Sequence, residues 1–252
     1  MIDDLAVRAR EGIGRGARVW APPQGHQVNQ GWWKAMTGAS SLALNVVLCH
    51  GGDPAQVADA LAAVSDAGCP TTVMLAGESL GDAQLLVDAG WVCLGTTPVM
   101  GRDDVGRFSG EIDTRFRQAS DRDLEAVRSI VAESFFLDRA RAELAVPRWA
   151  GDAEDCGIWV IDVDGEIRSA VLTAVVGEVL VFWMMATPPR WRRQGYGALL
   201  LENLFVHYAR RGVTTTVMYS SPAGESFYRR LGLEVIEYWQ LWSRPRWALG
   251  RS

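Results

Sequence analysis

Apolar and polar positions alternate most regularly in the second half of the chain. Residues 158–163 form an apolar run that stops at Asp164-Gly165, a two-residue turn signal, and 166–175 is apolar again, which predicts a hairpin. Residues 179–187 predict a third strand. After Pro188-Pro189 comes a glycine-containing loop, then a helix beginning near Gly195, with Leu200, Leu201, Leu204 and Tyr208 along one side and Gly212 at its end. Residues 214–219 predict a strand, Ser221-Pro222 opens a second helix that Gly232 closes, and 233–242 predict the final strand. Upstream, Ser120 is an N-cap, Asp121 and Asp123 lie in the first turn, and Leu124, Val127, Ile130 and Val131 share one helical face. A helical start, an antiparallel meander and then alternating strand and helix make a mixed α/β, or α+β, layered domain.

The first half is less regular. Residues 43–48 predict a strand. Asp53-Pro54 starts a helix lined by Val57, Leu61 and Val64 and ended by Gly68. Residues 71–75 predict a strand, 84–87 a short helix stopped by Gly90, and 91–94 a further strand. Residues 80–95 and 223–237 share one pattern: a small-residue start, a short helix, a Gly stop and a strand, which suggests a divergent duplication. Residues 100–111, charged and Gly-rich without an apolar period, read as a linker. The expected division is therefore 1–110 and 111–252.

Composition narrows the class. Of the 252 residues, 48% are hydrophobic and 22% charged, which excludes a disordered chain. The net charge is −5, with seven bases against eleven acids in residues 1–110 and eighteen against nineteen in 111–252. A nucleic-acid partner would need a basic field, so none is expected. The most apolar stretch, 169–187, is interrupted by Gly177-Glu178 and fits two strands better than a membrane span. The first twelve residues have no apolar core, so no secretory signal is expected there. Cys49, Cys69, Cys93 and Cys156 are dispersed without a CxxC pair, as are His26, His50 and His207, so the expectation is a cytoplasmic protein with reduced thiols and no metal.

The segment with chemical content is 185–200, MATPPRWRRQGYGALL. A strand end, a basic loop and a helix start expose unpaired backbone N–H groups at the positive end of the helix dipole. Gly195 and Gly197 let a ligand approach the backbone, and Arg190, Arg192 and Arg193 add positive charge. Such a site suits a pyrophosphate. A dinucleotide fingerprint would need Gly at position 200, where Leu200 stands, and the Gly-Lys-Ser/Thr of a P-loop is absent.

The run Arg192-Arg193-Gln194-Gly195-Tyr196-Gly197 resembles the signature of the GCN5-related N-acetyltransferases, which use acetyl-CoA. A second segment, Ser221 through Leu233, resembles that family's last helix, with Tyr228 four residues before Gly232 and 31 residues after Gly197. The resemblance covers about residues 111–245. It implies the GNAT fold, a central, mostly antiparallel sheet flanked by helices, preceded here by a partial GNAT-like domain. It also implies N-acetyl transfer in a ternary complex to an amine-bearing small molecule or peptide.

Carried over residue by residue, the resemblance implies that Met185, Ala186 and Thr187 face the pantetheine arm. Arg192, Arg193, Gln194, Gly195, Tyr196, Gly197 and Ala198 would hold the pyrophosphate, Ser221 would lie by the pantetheine, and Arg229 would reach the 3′-phosphate. Tyr228 would be the general acid. Where some relatives place a Glu in the strand, Val181 stands and cannot act, so the candidates for a base are Glu178, then Glu133, or a water relay. In the first half Leu86 takes the place of Tyr228, and the loop from Cys49 to Pro54 lacks Arg and holds Asp53, so no CoA site is expected there. His50 reads as structural rather than functional, and Trp32 and Trp33 either cap the core or wall an acceptor pocket. A sensor that binds acetyl-CoA without turnover, or a different acyl-CoA donor, remains an alternative. Oligomeric state is left open.

Overall fold

The computed structural model describes residues 2–151 and 155–244. The first half comprises helix α1 (Ile2–Gly16), strands β1 (His26–Asn29), β2 (Trp32–Met36) and β3 (Asn45–Cys49), α2 (Pro54–Ala62), β4 (Thr72–Leu75), α3 (Ala83–Asp88) and β5 (Val92–Arg102). The second half continues with β6 (Phe116–Gln118), α4 (Leu124–Phe135), α5 (Arg139–Ala145), β7 (Cys156–Val163), β8 (Glu166–Val176) and β9 (Val179–Ala186). It ends with α6 (Tyr196–Ala209), β10 (Thr215–Tyr219), α7 (Pro222–Arg230) and β11 (Glu234–Ser243). The local signals act as expected. Asp53 caps α2 by accepting from the Ala55 N–H at 2.9 Å, Ser120 and Asp123 form a capping box before α4, and Asp164-Gly165, both left-handed, turn β7 into β8. Helix α1, the hairpin of β1 and β2, and α5 are elements that the hydrophobic pattern does not announce.

All eleven strands of the described residues form one sheet, in the order β1-β2-β3-β4-β11-β5-β10-β9-β8-β7-β6. Only β3/β4 and β9/β10 pair in parallel. The order is nearly palindromic about its centre: β4 corresponds to β10, β3 to β9, β2 to β8 and β1 to β7. Each half contains a parallel strand pair followed by a short helix and a long strand. Those two long strands are exchanged. Strand β5, from the first half, lies between β10 and β11, and β11 lies between β4 and β5. Residues 100–111 are therefore not a linker: Met100–Arg102 pair with Thr216–Met218 of β10 inside the sheet, and Val105 is fully buried. The charged residues that suggest a linker sit at the strand end, where Arg102 pairs with Asp104.

The sheet buries both faces. On one face lie Ile13 of α1, Val127, Ile130 and Val131 of α4, and Val181, Trp183, Val217 and Trp239 of the strands, in a core that continues into Trp33, Leu48 and Met74. The other face is covered by α6 and α7 over Leu180, Phe182 and Met218, and by α2 and α3 over Val47, Val73 and Leu75. Trp32 and Trp33 are core residues, and the Trp33 indole N–H donates to the Arg10 carbonyl at 2.9 Å.

Candidate functional site

The parallel ladder between β9 and β10 ends early. Its last pair is Val181 with Val217, yet β9 runs on to Ala186 and β10 to Tyr219, so the two strands part over their C-terminal ends. A bulge in β9 contributes. Ala170 of β8 faces Ala186 and Leu172 faces Trp183, so β9 carries one extra residue, and Met184 takes a left-handed φ of 49°. Bulges of this kind re-aim a strand, and here the result is an open notch between two buried strands. Met185 and Thr187 border it on the β9 side. Ala186 is turned the other way, its carbonyl accepting from the Ser169 hydroxyl at 3.0 Å.

The loop after β9 leads directly into α6. A 3₁₀ turn spans Pro189–Trp191, and then Arg193 and Gly195 adopt positive φ of 64° and 86°. At Gly195 a Cβ would touch nothing within 4 Å, so glycine is required by conformation, not by space. The first intrahelical bond runs from the Leu199 N–H to the Gly195 carbonyl, which leaves the amides of Tyr196, Gly197 and Ala198 without helical partners. At Gly197 a Cβ would stand 3.2 Å from Met185, 3.3 Å from Phe227 and 3.4 Å from Thr187 Oγ1, so β9, α6 and α7 converge on this glycine. Arg192 donates to the Thr187 carbonyl at 2.9 Å and Gln194 to the Arg190 carbonyl at 3.1 Å, and both side chains bind the loop to itself. Free amides, a dipole end and guanidinium groups make this an anion cradle.

Tyr228 of α7 packs against β9 just beyond that strand's last pair with β10. It packs against Phe182 at a ring separation of 5.9 Å and against Phe227 at 5.1 Å, and only 8% of it is exposed. Burial pushes its phenol well above the ordinary tyrosine range, so the group holds its proton at neutral pH. Its hydroxyl has no hydrogen-bond partner among the described residues. Ser221 acts locally, where its side chain accepts from the Gly224 N–H at 3.3 Å and caps α7. Arg229 is exposed and pairs with Glu225 one turn earlier at 2.8 Å, which holds its guanidinium along its own helix.

The acidic candidates separate clearly. Glu178 stands at the hairpin before β9, bonded to the Thr214 hydroxyl at 3.1 Å, seven residues from Met185. At about 3.3 Å per residue that is roughly 23 Å along the strand from Met185. Glu178 thus lies at the start of β9, at the opposite end of the strand from Met185 and the loop that follows it. Glu133 of α4 is nearer: it forms an ion pair with Arg190 in the loop after β9. A second acidic group has no counterpart in the sequence reading. Glu237 of β11 accepts from both Arg10 nitrogens, Nε and the terminal NH2, and from the Trp239 indole at 2.6 Å, and Trp239 packs on Tyr219 at the end of β10. The pairing of Arg10 with Glu237, 227 positions later, leaves no local signal. His50 lies near the same pair, and burial, reinforced by Arg10, lowers its pKa.

The matching place in the first half is closed. The β3/β4 ladder runs to its end at Cys49 and Leu75 and is extended by the Ala76 N–H to the Cys49 carbonyl at 2.9 Å. The loop amides of His50 and Gly51 are taken by the Gly31 carbonyl, at 2.7 and 3.0 Å. The Gln56 side chain fills the space beside Gly31 and Gly51, its oxygen only 2.0 and 1.7 Å from where their Cβ atoms would be. Asp53 serves as the α2 cap.

Among the described residues no group of three or more His, Cys, Asp or Glu is gathered for a metal, and no helix is long and apolar enough to cross a membrane. All four cysteines are free thiols. A family model described as an acetyltransferase (GNAT) domain matches residues 154–235. A search of curated proteins gave no match. Among solved structures, a GCN5-related N-acetyltransferase from Kribbella flavida superposes with a TM-score of 0.66 and 21% identity over 96% of each chain. One from Sphaerobacter thermophilus gives 0.55 and 18% over 85% of this chain and 78% of that one. A GCN5-related N-acetyltransferase-like protein from Streptococcus suis gives 0.52 and 14% over 84% and 83%. At these identities the likeness is one of fold, and the fold is that of the GNAT acyl-CoA N-acyltransferases.

Proposed function

Proceeding from the GNAT acetyltransferase domain matched at residues 154–235, we propose that this protein moves an acetyl group from acetyl-CoA to a primary amine of a small molecule or peptide. The reading is supported above all by one convergence: the open end of the β9/β10 ladder, the free amides at the start of α6 and Phe227 of α7 meet around Gly197, and Tyr228 packs against both Phe227 and Phe182 of β9. The tandem order of the sheet further supports two divergent copies of one fold, of which only the second, at 111–252, keeps a donor site.

In this reading the α6 amides, with Arg192 and Arg193, hold the donor pyrophosphate. The strand edge at Met185 to Thr187 takes the pantetheine. The acceptor amine attacks the thioester carbonyl directly, an N–C bond forms, and the C–S bond breaks. Backbone N–H groups on the notch stabilise the charge that develops on the carbonyl oxygen. Tyr228 gives its proton to the departing thiolate, and the ammonium proton leaves through water. At pH 7 an alkylamine of pKa near 10.4 is only about one part in 10³ deprotonated, so proton removal belongs to the reaction. The dispersed free thiols suit a reducing, cytoplasmic setting.

The test is release of CoA thiol from acetyl-CoA against a panel of primary amines, with calorimetric titration of CoA. Turnover with at least one amine is expected, and CoA binding without turnover on any amine would favour a sensor. Gly197→Glu, which puts bulk and negative charge among Met185, Phe227 and Thr187, should abolish CoA binding in a folded protein; unchanged affinity would remove the site.

A further inference from the structure

The donor cradle is a loop, and a loop holds a ligand tightly only if it is fixed before the ligand arrives. Besides the Glu133–Arg190 ion pair and the Ser169 hydrogen bonds, one stacked pair does this from outside the loop. The Arg168 guanidinium carbon lies 3.3 Å from the centroid of the Trp191 ring, a face-on cation–π stack. Arg168 belongs to β8, where the pairing with β7 steps from Ile161–Ser169 to Asp162–Ile167 and leaves Arg168 as the extra residue of a bulge. Bulges re-aim side chains. Here two successive β8 residues serve the same loop: Ser169 binds the Ala186 carbonyl and the Thr187 hydroxyl, at 3.0 and 2.9 Å, and Arg168 covers Trp191. Trp191 in turn meets Tyr196, the first residue of α6, edge-on at 6.4 Å.

The stack is protected. The Arg168 side chain is 13% exposed, and its only ion pair among the described residues is with half-exposed Glu166 at 3.2 Å. Arg168 Nε and Trp191 Nε1 are both buried and lack hydrogen-bond partners among the described residues. A buried guanidinium that forgoes a partner for one of its donors holds its place through the ring it covers. Arginine suits this because its plane matches the indole face, while an ammonium is a compact, strongly hydrated point charge.

We propose that the Arg168–Trp191 stack is a latch that holds the loop between β9 and α6 in its donor-binding shape, making Arg168 a positioning residue for the acyl-CoA pyrophosphate. The inference rests on the proposed function for the identity of the ligand, but the latch itself is a property of the unliganded chain.

Two measurements test it. In amide hydrogen exchange of the protein alone, Arg168→Met should speed exchange across residues 188–198 and leave the β2 and β3 amides unchanged. In calorimetry with CoA, Arg168→Met should bind at least tenfold more weakly than wild type, with Arg168→Lys between them. Trp191→Leu removes the other partner at a half-buried position and should reproduce both effects if Arg168→Met fails to fold. Exchange in 188–198 at the wild-type rate, or CoA affinity within twofold of wild type, overturns the latch. If the wild-type protein itself does not bind CoA, the proposed function falls and the exchange data alone decide: faster exchange upholds the latch, unchanged exchange ends it.

Discussion

The neighbours of Tyr228 keep it protonated above the ordinary tyrosine range. Phe182 and Phe227 exclude water from its ring, and the cost of placing a phenolate among them raises its pKa. In the proposed reaction a general acid must carry its proton when the thiolate leaves, which this phenol does at neutral pH, while the burial that raises its pKa also makes it the weaker donor. Positioned acids contribute about 10²–10⁴-fold. Tyr228→Phe, which keeps the ring packing, should lower kcat by a factor in that range and leave CoA affinity nearly intact. The sign for pH follows from the same burial: wild-type kcat should show no loss from this group between pH 7 and about pH 10, the ordinary tyrosine value. A kcat decline with an apparent pKa below that value, absent from the Phe variant, would show that the phenol is more acidic and more exposed than the packing indicates.

At the level of elements, the turn between β10 and α7 is held by a strand from the other half. The Thr97 hydroxyl donates to the Ser220 carbonyl at 2.6 Å, and the Ser220 N–H donates to the Pro98 carbonyl at 2.9 Å. This turn sets where α7 begins and so where Tyr228 stands. Thr97→Val keeps the shape and leaves a buried carbonyl short of a donor, which costs about 1–3 kcal/mol. The melting temperature should fall, and kcat should fall more than CoA affinity. If melting and kinetics both match wild type, Thr97 does not position α7. The same elements show what the sequence could reveal. Helices α4, α6 and α7 are legible because their caps and apolar faces are local. Helix α1 is not, because Gly12, Gly14 and Gly16 look like a loop. They are glycines because α1 lies close on the sheet: a Cβ at Gly14 would stand 2.4 Å from Trp33, and one at Gly16 would stand 2.6 Å from Trp183. Strand β5 reads as ending at position 94 and its tail as a linker, since Gly95, Pro98 and Gly101 interrupt the apolar pattern and its partners lie more than 110 positions away in the chain. In the site, the glycine loop and Tyr228 are readable as motifs, whereas Glu237, Arg10 and the Arg168–Trp191 stack arise only when distant segments meet.

On the scale of the whole molecule, the exchange of β5 and β11 makes the two halves inseparable. A chain of residues 111–252 would lose the strand between β10 and β11, expose both of their edges and lack α1, whose Ile13 is fully buried in the shared core. That fragment should be insoluble or inactive, and full activity from it would contradict the continuous sheet as the folding unit. The halves nevertheless differ in what they can bind. A donor site needs parted strands and unclaimed amides. In the second half the parallel ladder stops at Val181 while β9 continues, and the first amides of α6 have no helical acceptor. In the first half the ladder closes at Cys49 and Leu75, Gly31 takes the loop amides, Gln56 occupies the space between the glycines, and Asp53 caps the helix with a carboxylate where an incoming phosphate would be repelled. Calorimetric titration with CoA should therefore give one site per chain. Truncating the plug, Gln56→Ala, should not create a second, because the ladder remains closed and Asp53 remains charged. A stoichiometry of two in either protein would mean that the β3/β4 end opens, contrary to the bonds that seal it.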